Sequence, residues 1–305
     1  MISPNTLVKG ITTAFFDQYA QVAPTWEKLV TRVPSNSNEE IHNWLGAPPT
    51  ISEWTGARNV QKLLEQGITV ANQNWEGTLE IDRNDVEDDR TGSIMMRARQ
   101  LGDRGARFYF DHLINFLING DANVVGYGQA YDAQNFFSNS HSEGSSGTQD
   151  NLGAGTGTTV AQIRADLNAG VSAMLGFLDD KGEPYDDTET GAGSLALICP
   201  TGIYQACREA VAASEISNTT ALPWTGTVNV IPSAKLQADD ANDWYLLRVD
   251  KPIKPFGFQD RQPWKTSDTL GGDQAFHHRF YEWGVDARFA MFYAAWQYAY
   301  KVVNS

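Results

Sequence analysis

Cysteine is almost absent from this chain of 305 residues: only Cys199 and Cys207 occur. Their spacing matches no CxxC pair, which excludes a disulfide framework and a zinc ribbon. They read as small core residues, and synthesis in a reducing cytoplasm fits them. No run approaches the roughly 20 apolar residues that a membrane-spanning helix needs. The start, Met1-Ile2-Ser3-Pro4-Asn5, lacks a basic stretch ahead of an apolar block, so no signal peptide is expected. Basic residues are also scarce, 23 Lys and Arg against 37 Asp and Glu, for a net charge of −14. That balance argues against a dedicated nucleic-acid reader, whose affinity comes from cations on phosphates. It is compatible with a container that holds its contents loosely, and it keeps free subunits soluble.

The motifs of catalysis are missing as well. Asp85-Val86-Glu87-Asp88-Asp89 lacks the calcium-loop pattern and has no histidine at ligand spacing, so it reads as the acidic start of a helix. His277-His278 sits at or before a strand, where neighbouring side chains point to opposite faces and cannot share a ligand. Gly153-Ala154-Gly155-Thr156-Gly157 precedes a helix but has no G-K-[ST] and no apolar strand before it. His141 lies among hydroxyls in Phe136-Phe137-Ser138-Asn139-Ser140-His141, where a Ser–His pair is conceivable, but no G-x-S-x-G elbow accompanies it. No catalytic, cofactor-binding or metal-binding residue is assigned, and no cofactor is expected.

What the chain does have is apolar residues, 41%, and aromatics, 11%, enough to exclude global disorder. Leu7, Val8, Ile11, Phe15 and Tyr19 predict an amphipathic helix over residues 3–20, either an ordinary surface helix or an arm that packs on a neighbouring subunit. Pro24 ends it, a short Trp26–Val30 segment follows, and Pro34 breaks the chain again. Residues 39–81 read as extended, with strands near Gly67–Asn72 and Trp75–Ile81. Trp44, Trp54 and Trp75 lie there among polar residues, which is awkward inside a compact monomer and points to a partner. Asp82–Asn119 is the longest helical candidate, with Phe110, Leu113, Ile114, Leu117 and Ile118 on one face and a break expected near Gly92. Residues 121–158 are loop-like, and a capped helix follows from Val160 to Leu178. Ser194–Cys199 reads as a buried strand, Pro200-Thr201 as the start of a helix, and Thr227–Ile231 and Trp244–Val249 as strands. The tail alternates at Tyr281, Trp283, Val285, Ala287, Phe289, Met291 and Tyr293, a strand expected to pair with residues 67–81 and lie against the long helix.

Three strings carry a resemblance. Trp75-Glu76-Gly77-Thr78-Leu79-Glu80-Ile81-Asp82-Arg83-Asn84-Asp85-Val86-Glu87-Asp88-Asp89 is similar to a strand running into an acidic helix entry. Tyr131-Asp132-Ala133-Gln134-Asn135-Phe136-Phe137-Ser138-Asn139-Ser140-His141 resembles a Y-D-G-x-x-F-F-s-x-x-H string, with Ala133 in place of the usual glycine. Gly284-Val285-Asp286-Ala287-Arg288 followed by Trp296-Gln297-Tyr298-Ala299 is the third. In this order they resemble the major head subunit of phage Mu and Mu-like prophages, the gpT family.

The resemblance implies an α+β chain with the HK97-like capsid fold. It comprises an N-terminal arm (1–35), an extended β loop (36–82), a spine helix in a peripheral domain (83–120), an axial α/β lobe (121–250), and a C-terminal return to the peripheral sheet (251–305). It implies a major capsid protein of a tailed bacteriophage (Caudoviricetes), made in the host cytoplasm and built into the virion shell as hexamers and pentamers of an icosahedral head. The partners implied are the chain itself, a separate scaffold protein, a portal, a decoration protein, and packaged double-stranded DNA contacted non-specifically; no membrane is involved. Phe15, Trp44, Trp54 and Trp75 are the residues expected at contacts between subunits. The alternatives are an encapsulating shell protein of cellular origin and a hydrolase using His141.

Overall fold

The computed structural model describes residues 4–22, 24–43, 67–87, 91–212, 215–216, 219–220, 224–269 and 280–304. Its first half contains α1 (Pro4–Gln21), β1 (Val30–Pro34), β2 (Glu39–His42), β3 (Ile68–Ala71), β4 (Gln73–Asp82), α2 (Arg83–Glu87) and α3 (Thr91–Ile118). Then come β5 (Leu152–Ala154), α4 (Val160–Gly176), β6 (Leu195–Pro200), α5 (Tyr204–Ala212) and a minor pair, β7 (Glu215–Ile216) and β8 (Thr219–Thr220). The chain continues through β9 (Val228–Ser233), α6 (Ala234–Asp239), β10 (Trp244–Arg248), β11 (Phe256–Asp268), β12 (Phe280–Tyr293) and β13 (Ala299–Val303).

Two sheets organise these elements. The peripheral sheet has the order β1-β11-β12-β4, and the axial sheet the order β5-β13-β10-β6-β9. The alternating tail behaves as its period demands. Trp283, Val285, Ala287 and Phe289 of β12 are buried, and the strand pairs antiparallel with β4 from Phe280 opposite Asp82 to Phe289 opposite Gln73. The long helical candidate is described as α2 and, from Thr91, α3; Gly92 lies within α3, and residues 88–90 lie outside the described residues. At 28 residues, α3 is about 42 Å long.

Three expectations change. Pro34 does not interrupt the chain but ends β1, which runs parallel to β11 with Pro34 opposite Asp260. β1 is an edge strand, where a residue without an N–H is tolerated. Pro200 closes β6 rather than opening a helix, and α5 starts at Tyr204. The C-terminal segment does not return wholly to the peripheral sheet: β13 enters the axial sheet, antiparallel to β10 and parallel to β5.

Two cores result. The larger runs from the C-terminal half of α3 through the axial sheet and takes in Cys199 and Cys207, both fully buried and free. The smaller joins Leu7, Ile11 and Phe15 of α1 to Ile94 and Ala98 of α3 and to Ile81 and Trp283 of the sheet. Here α1 sits so close to α3 that a Cβ added at Gly102 would lie 2.4 Å from the Phe15 carbonyl oxygen. Among the described residues no helix is long and apolar enough to cross a membrane.

The Gly102 contact makes a prediction of sign. Helix propensity alone says that Gly102→Ala stabilises α3 by about 1 kcal/mol. Overpacking against backbone that cannot rotate away costs about 1–3 kcal/mol, so the net expectation is a lower thermal midpoint. A raised midpoint would show that α1 does not dock this closely.

Candidate assembly surfaces

The two flanks of residues 44–66, which lie outside the described residues, are brought together where His42 pairs with Ile68 across the antiparallel β2–β3 ladder. This root is fastened by a polar chain. The buried His42 ring meets Gln259 Oε1 at 2.9 Å, and Gln259 Nε2 donates to Val70 O and to Asn72 Oδ1. Asn72 Nδ2 in turn donates to Ser35 Oγ and Ser37 O, both at 2.9 Å. Glu40 accepts from the Asn36 N–H, the Ser35 hydroxyl and the Ser37 N–H, which together lower its pKa to about 2. The other face of His42 stacks on Phe292 at 4.3 Å between centroids. Phe292 reaches it only because position 257 is glycine: a Cβ there would lie 2.0 Å from the ring. Within this root Ile41 is 65% exposed, and a groove of about 520 Å³ opens between residues 67–73 and the loop at 126–133.

The four residues expected at contacts fall into two groups. Trp44 and Trp54 lie outside the described residues. Phe15 is fully buried within its own subunit, 5.6 Å from the Trp283 ring, whose indole donates to Thr12 Oγ1. Trp75 is half-buried against Phe289, Phe108 and His112, and its indole N–H donates to Phe289 O at 3.3 Å. Sequence reasoning missed His42 and Gln259 altogether, since neither belongs to a motif. The one available hint was the position of a histidine where the extended segment begins.

His141 has a structural role. Its ring is fully buried and parallel to Trp296 at 3.9 Å, with Nδ1 2.6 Å from Asp132 Oδ2 and Nε2 3.3 Å from Phe136 O. Both nitrogens are engaged, and the Ser138 and Ser140 hydroxyls bond each other at 3.0 Å, so no Ser–His pair forms. Around it, Gln297 Nε2 donates to Tyr131 O–H, which donates to Glu143 Oε2. Burial raises the Glu143 pKa; the hydrogen bond from Tyr131 opposes this, and the charges of Asp180, Asp132 and Asp179 add to it. The glycine-rich string at 153–157 is used internally. Gly155 N–H donates to Val303 O, Gly157 N–H to Asn304 Oδ1, and Thr156 N–H to the Asp166 carboxylate, so a phosphate would meet a carboxylate. Asp85 lies in α2, while 88–89 and His277-His278 are outside the described residues. Among the described residues no cluster of three or more His, Cys, Asp or Glu is arranged to hold a metal.

Two predictions follow from these sites. Ala133 has φ +63°, a left-handed conformation that costs an L-residue about 1 kcal/mol relative to glycine. Ala133→Gly therefore raises stability by roughly 0.5–1 kcal/mol in denaturant unfolding, after allowing for the more flexible unfolded chain. His112 packs among Trp75, Phe108, Phe116 and Phe289. Burial, with a smaller effect of the Lys235 charge, lowers its pKa to about 4 from 6.5. A base with a depressed folded pKa contributes stability above its unfolded pKa and loses it on acidification. Stability thus declines from pH 6.5 toward 4, by less than about 1.4 kcal/mol per pH unit because the ring keeps some hydration. His112→Gln should flatten that part of the unfolding profile, and an unchanged profile would clear His112 of the effect.

A family model described as the Mu-like prophage major head subunit gpT matches residues 5–163 and 232–305. The chain is 34% identical over 146 residues to the major capsid protein of Escherichia phage Mu, a match spanning 46% of each chain. Thus less than half the length of that relative is matched. It is 24% identical over 299 residues to the Mu-like prophage FluMu major head subunit of Haemophilus influenzae, covering 97% of this chain and 71% of the other. Among solved structures it resembles the procapsid of bacteriophage JBD30, with TM-score 0.58 and 22% identity over 98% of this chain and 75% of that one. A virus-like particle from Pyrococcus furiosus has the same architecture, with TM-score 0.53 and 10% identity over 95% of this chain and 96% of that one. The fold is the HK97-like capsid fold. With the family model covering well over half of its residues, the chain belongs to the Mu-like prophage major head subunit gpT family.

Proposed function

We propose that this chain is the shell-forming subunit of a Mu-like tailed-phage head and that it acts by assembly rather than catalysis. Copies associate into hexamers and pentamers through their axial lobes, and extended loops overlap adjacent subunits. Many modest interfaces then add up by avidity. The observation that carries this reading is the root of the extended segment. His42 and Ile68, the flanks of this segment, are paired on a hydrogen-bonded base, and paired flanks suit a loop that reaches a neighbour. Heterologous contacts of such loops close into rings and shells by symmetry.

Within this reading, Trp44 and Trp54 are the direct contact residues on the loop. Phe15 and Trp75 contribute from inside their own subunit, holding the arm on α3 and the loop root on the sheet. The enclosed cargo is double-stranded DNA, assembly uses a separate scaffold protein, and a portal occupies one vertex. The JBD30 capsid occurs decorated with minor capsid protein trimers, and a decoration protein on this shell is proposed by analogy.

Because His42 and Ile68 are paired, residues 44–66 can be replaced by a Gly-Asn-Gly turn without touching either sheet. Deleting all of 36–80 would instead remove most of β4 and uncover Trp283. The turn variant should unfold within a few degrees of the wild type and form no closed shells in sedimentation and negative-stain microscopy. Normal shells from it would overturn the role of the loop.

A further inference from the structure

We propose that the exposed face of α3 binds the phosphate backbone of packaged DNA through Arg97 and Arg104, with Arg107 extending the strip. The proposal rests on the shell reading above and names where the contents touch the wall.

The sequence places four arginines and no lysine between residues 97 and 107, in a chain whose net charge is −14. At about 100° per residue, Arg97, Gln100, Arg104 and Arg107 share one stripe of α3. The opposite stripe, Ile94, Ala98, Tyr109 and Leu113, is buried against α1 and the sheet. All four arginines are exposed. Arg107 pairs with Asp103 at 3.2 Å, but among the described residues no carboxylate pairs with Arg97, Arg99 or Arg104. Other cations of the fold are engaged: Arg32 with Asp260, Arg248 and Lys251 with Asp186, and Lys301 with Asp121 and Asp243. Free guanidinium groups on a rigid helix are preorganised donors.

Their setting is a slot rather than a flat surface. A groove of about 490 Å³ lies between α3 and β4, lined by Arg97, Gln100, Arg104, Asp103 and Thr78 among others. Two arginines, an amide and a hydroxyl can donate into it; the one carboxylate, Asp103, is already held by Arg107. Arg97 and Arg104 are seven residues apart, about 10 Å along the helix, and the strip to Arg107 is about 15 Å. That length spans a few successive phosphates, and planar guanidinium groups suit them. Nothing in the slot reads base edges, so the contact is indifferent to sequence.

The chain's own carboxylates approach one end of the strip, where Glu80, Asp82 and Asp85 line a recess beside Arg97 without an ion pair to it among the described residues. Glu76 stands opposite Asp286 and Glu80 opposite Glu282 on the peripheral sheet. The intervening Gly77 and Ile81 face α3, against Leu101 and Ile94, so Glu76, Glu282 and Asp286 lie on the other face of the sheet, while Glu80 reaches the edge near Arg97. The overall acidity leaves Arg97 and Arg104 without an ion pair among the described residues, and it confines DNA contact to their strip.

The test uses the full-length subunit, the double variant Arg97→Gln/Arg104→Gln, and the charge-matched control Lys9→Gln/Arg208→Gln. Binding to a random-sequence 20-bp duplex is followed by fluorescence anisotropy from 50 to 200 mM salt, and shell formation by sedimentation. The wild type and the control should bind with a salt-dependent affinity. The double variant should form shells but lose about 2 from the slope of log K against log salt, about one per phosphate contact. A wild-type subunit that does not bind duplex at 50 mM salt overturns the proposal, as does an unchanged slope in the double variant. Loss of shells with DNA binding intact would overturn it too, assigning the strip to a second copy. Failure of the wild type to form shells at all would count against the shell reading instead.

Discussion

The burial of β12 is the constraint on which the rest depends. Its first half needs a partner on one face only, so it pairs with β11 and β4 and lays Trp283, Val285, Ala287 and Phe289 against the helices. Its second half, Phe289 to Tyr293, is buried on both faces. Trp283 meets the arm through Phe15, and Phe292 meets the loop root through His42. Tyr293 donates to Phe116 O of α3 and stacks on Phe136 of the axial lobe. One strand thus touches each part that an assembling subunit must hold in fixed relation, and Trp296 and β13 carry the chain directly from it into the axial sheet.

That arrangement explains why the three recognisable strings occur together. Trp75 to Ile81 pairs, residue by residue, with Ala287 to Tyr281, so the first and third strings are two sides of one ladder. The second string wraps the end of the third: His141 stacks on Trp296, and Gln297 donates to Tyr131. Aromatic stacking and buried polar bonds reward this residue set only when every partner is present. The same geometry demotes His141 from candidate base to a packing residue, a distinction that only the location of Asp132 and Trp296 reveals.

The legible parts of the fold were those with unbroken periods. The arm helix, α3, α4 and β12 each show their buried face in the spacing of apolar residues, and α4 shows its capping box at Thr159 and Gln162. β11 was illegible for a physical reason. Its register shifts between Asp260 and Gln262 and again before Lys265, so the alternation that would mark Phe256 to Asp268 as one strand is reset twice. β1 was hidden by Pro34, and the destination of β13 depends on Asn151, Leu152 and Ala154, which are about 150 residues away in sequence. The loop root was the least legible of all. His42, Gln259, Asn72 and Ser35 come from separate segments and form no local pattern before folding.

Charge adds the last step. Like charges directly opposite on a sheet are destabilising, and Glu76 with Asp286 and Glu80 with Glu282 are such pairs. Partial relief comes from Gln262, which donates to Asp286 Oδ2, and from Lys265, which stands opposite Asp286 on β11. The same carboxylates lie on and beside β4, an edge strand whose outer side no described strand covers. Charged edges resist indiscriminate strand addition. An acidic edge on a chain with a net charge of −14 raises the cost of wrong pairings between copies, which is what the proposed shell role would require. The cost in sheet stability is then tolerable because the ladder's other face, with Trp283 and Phe289, is buried deeply enough to hold β4 in place.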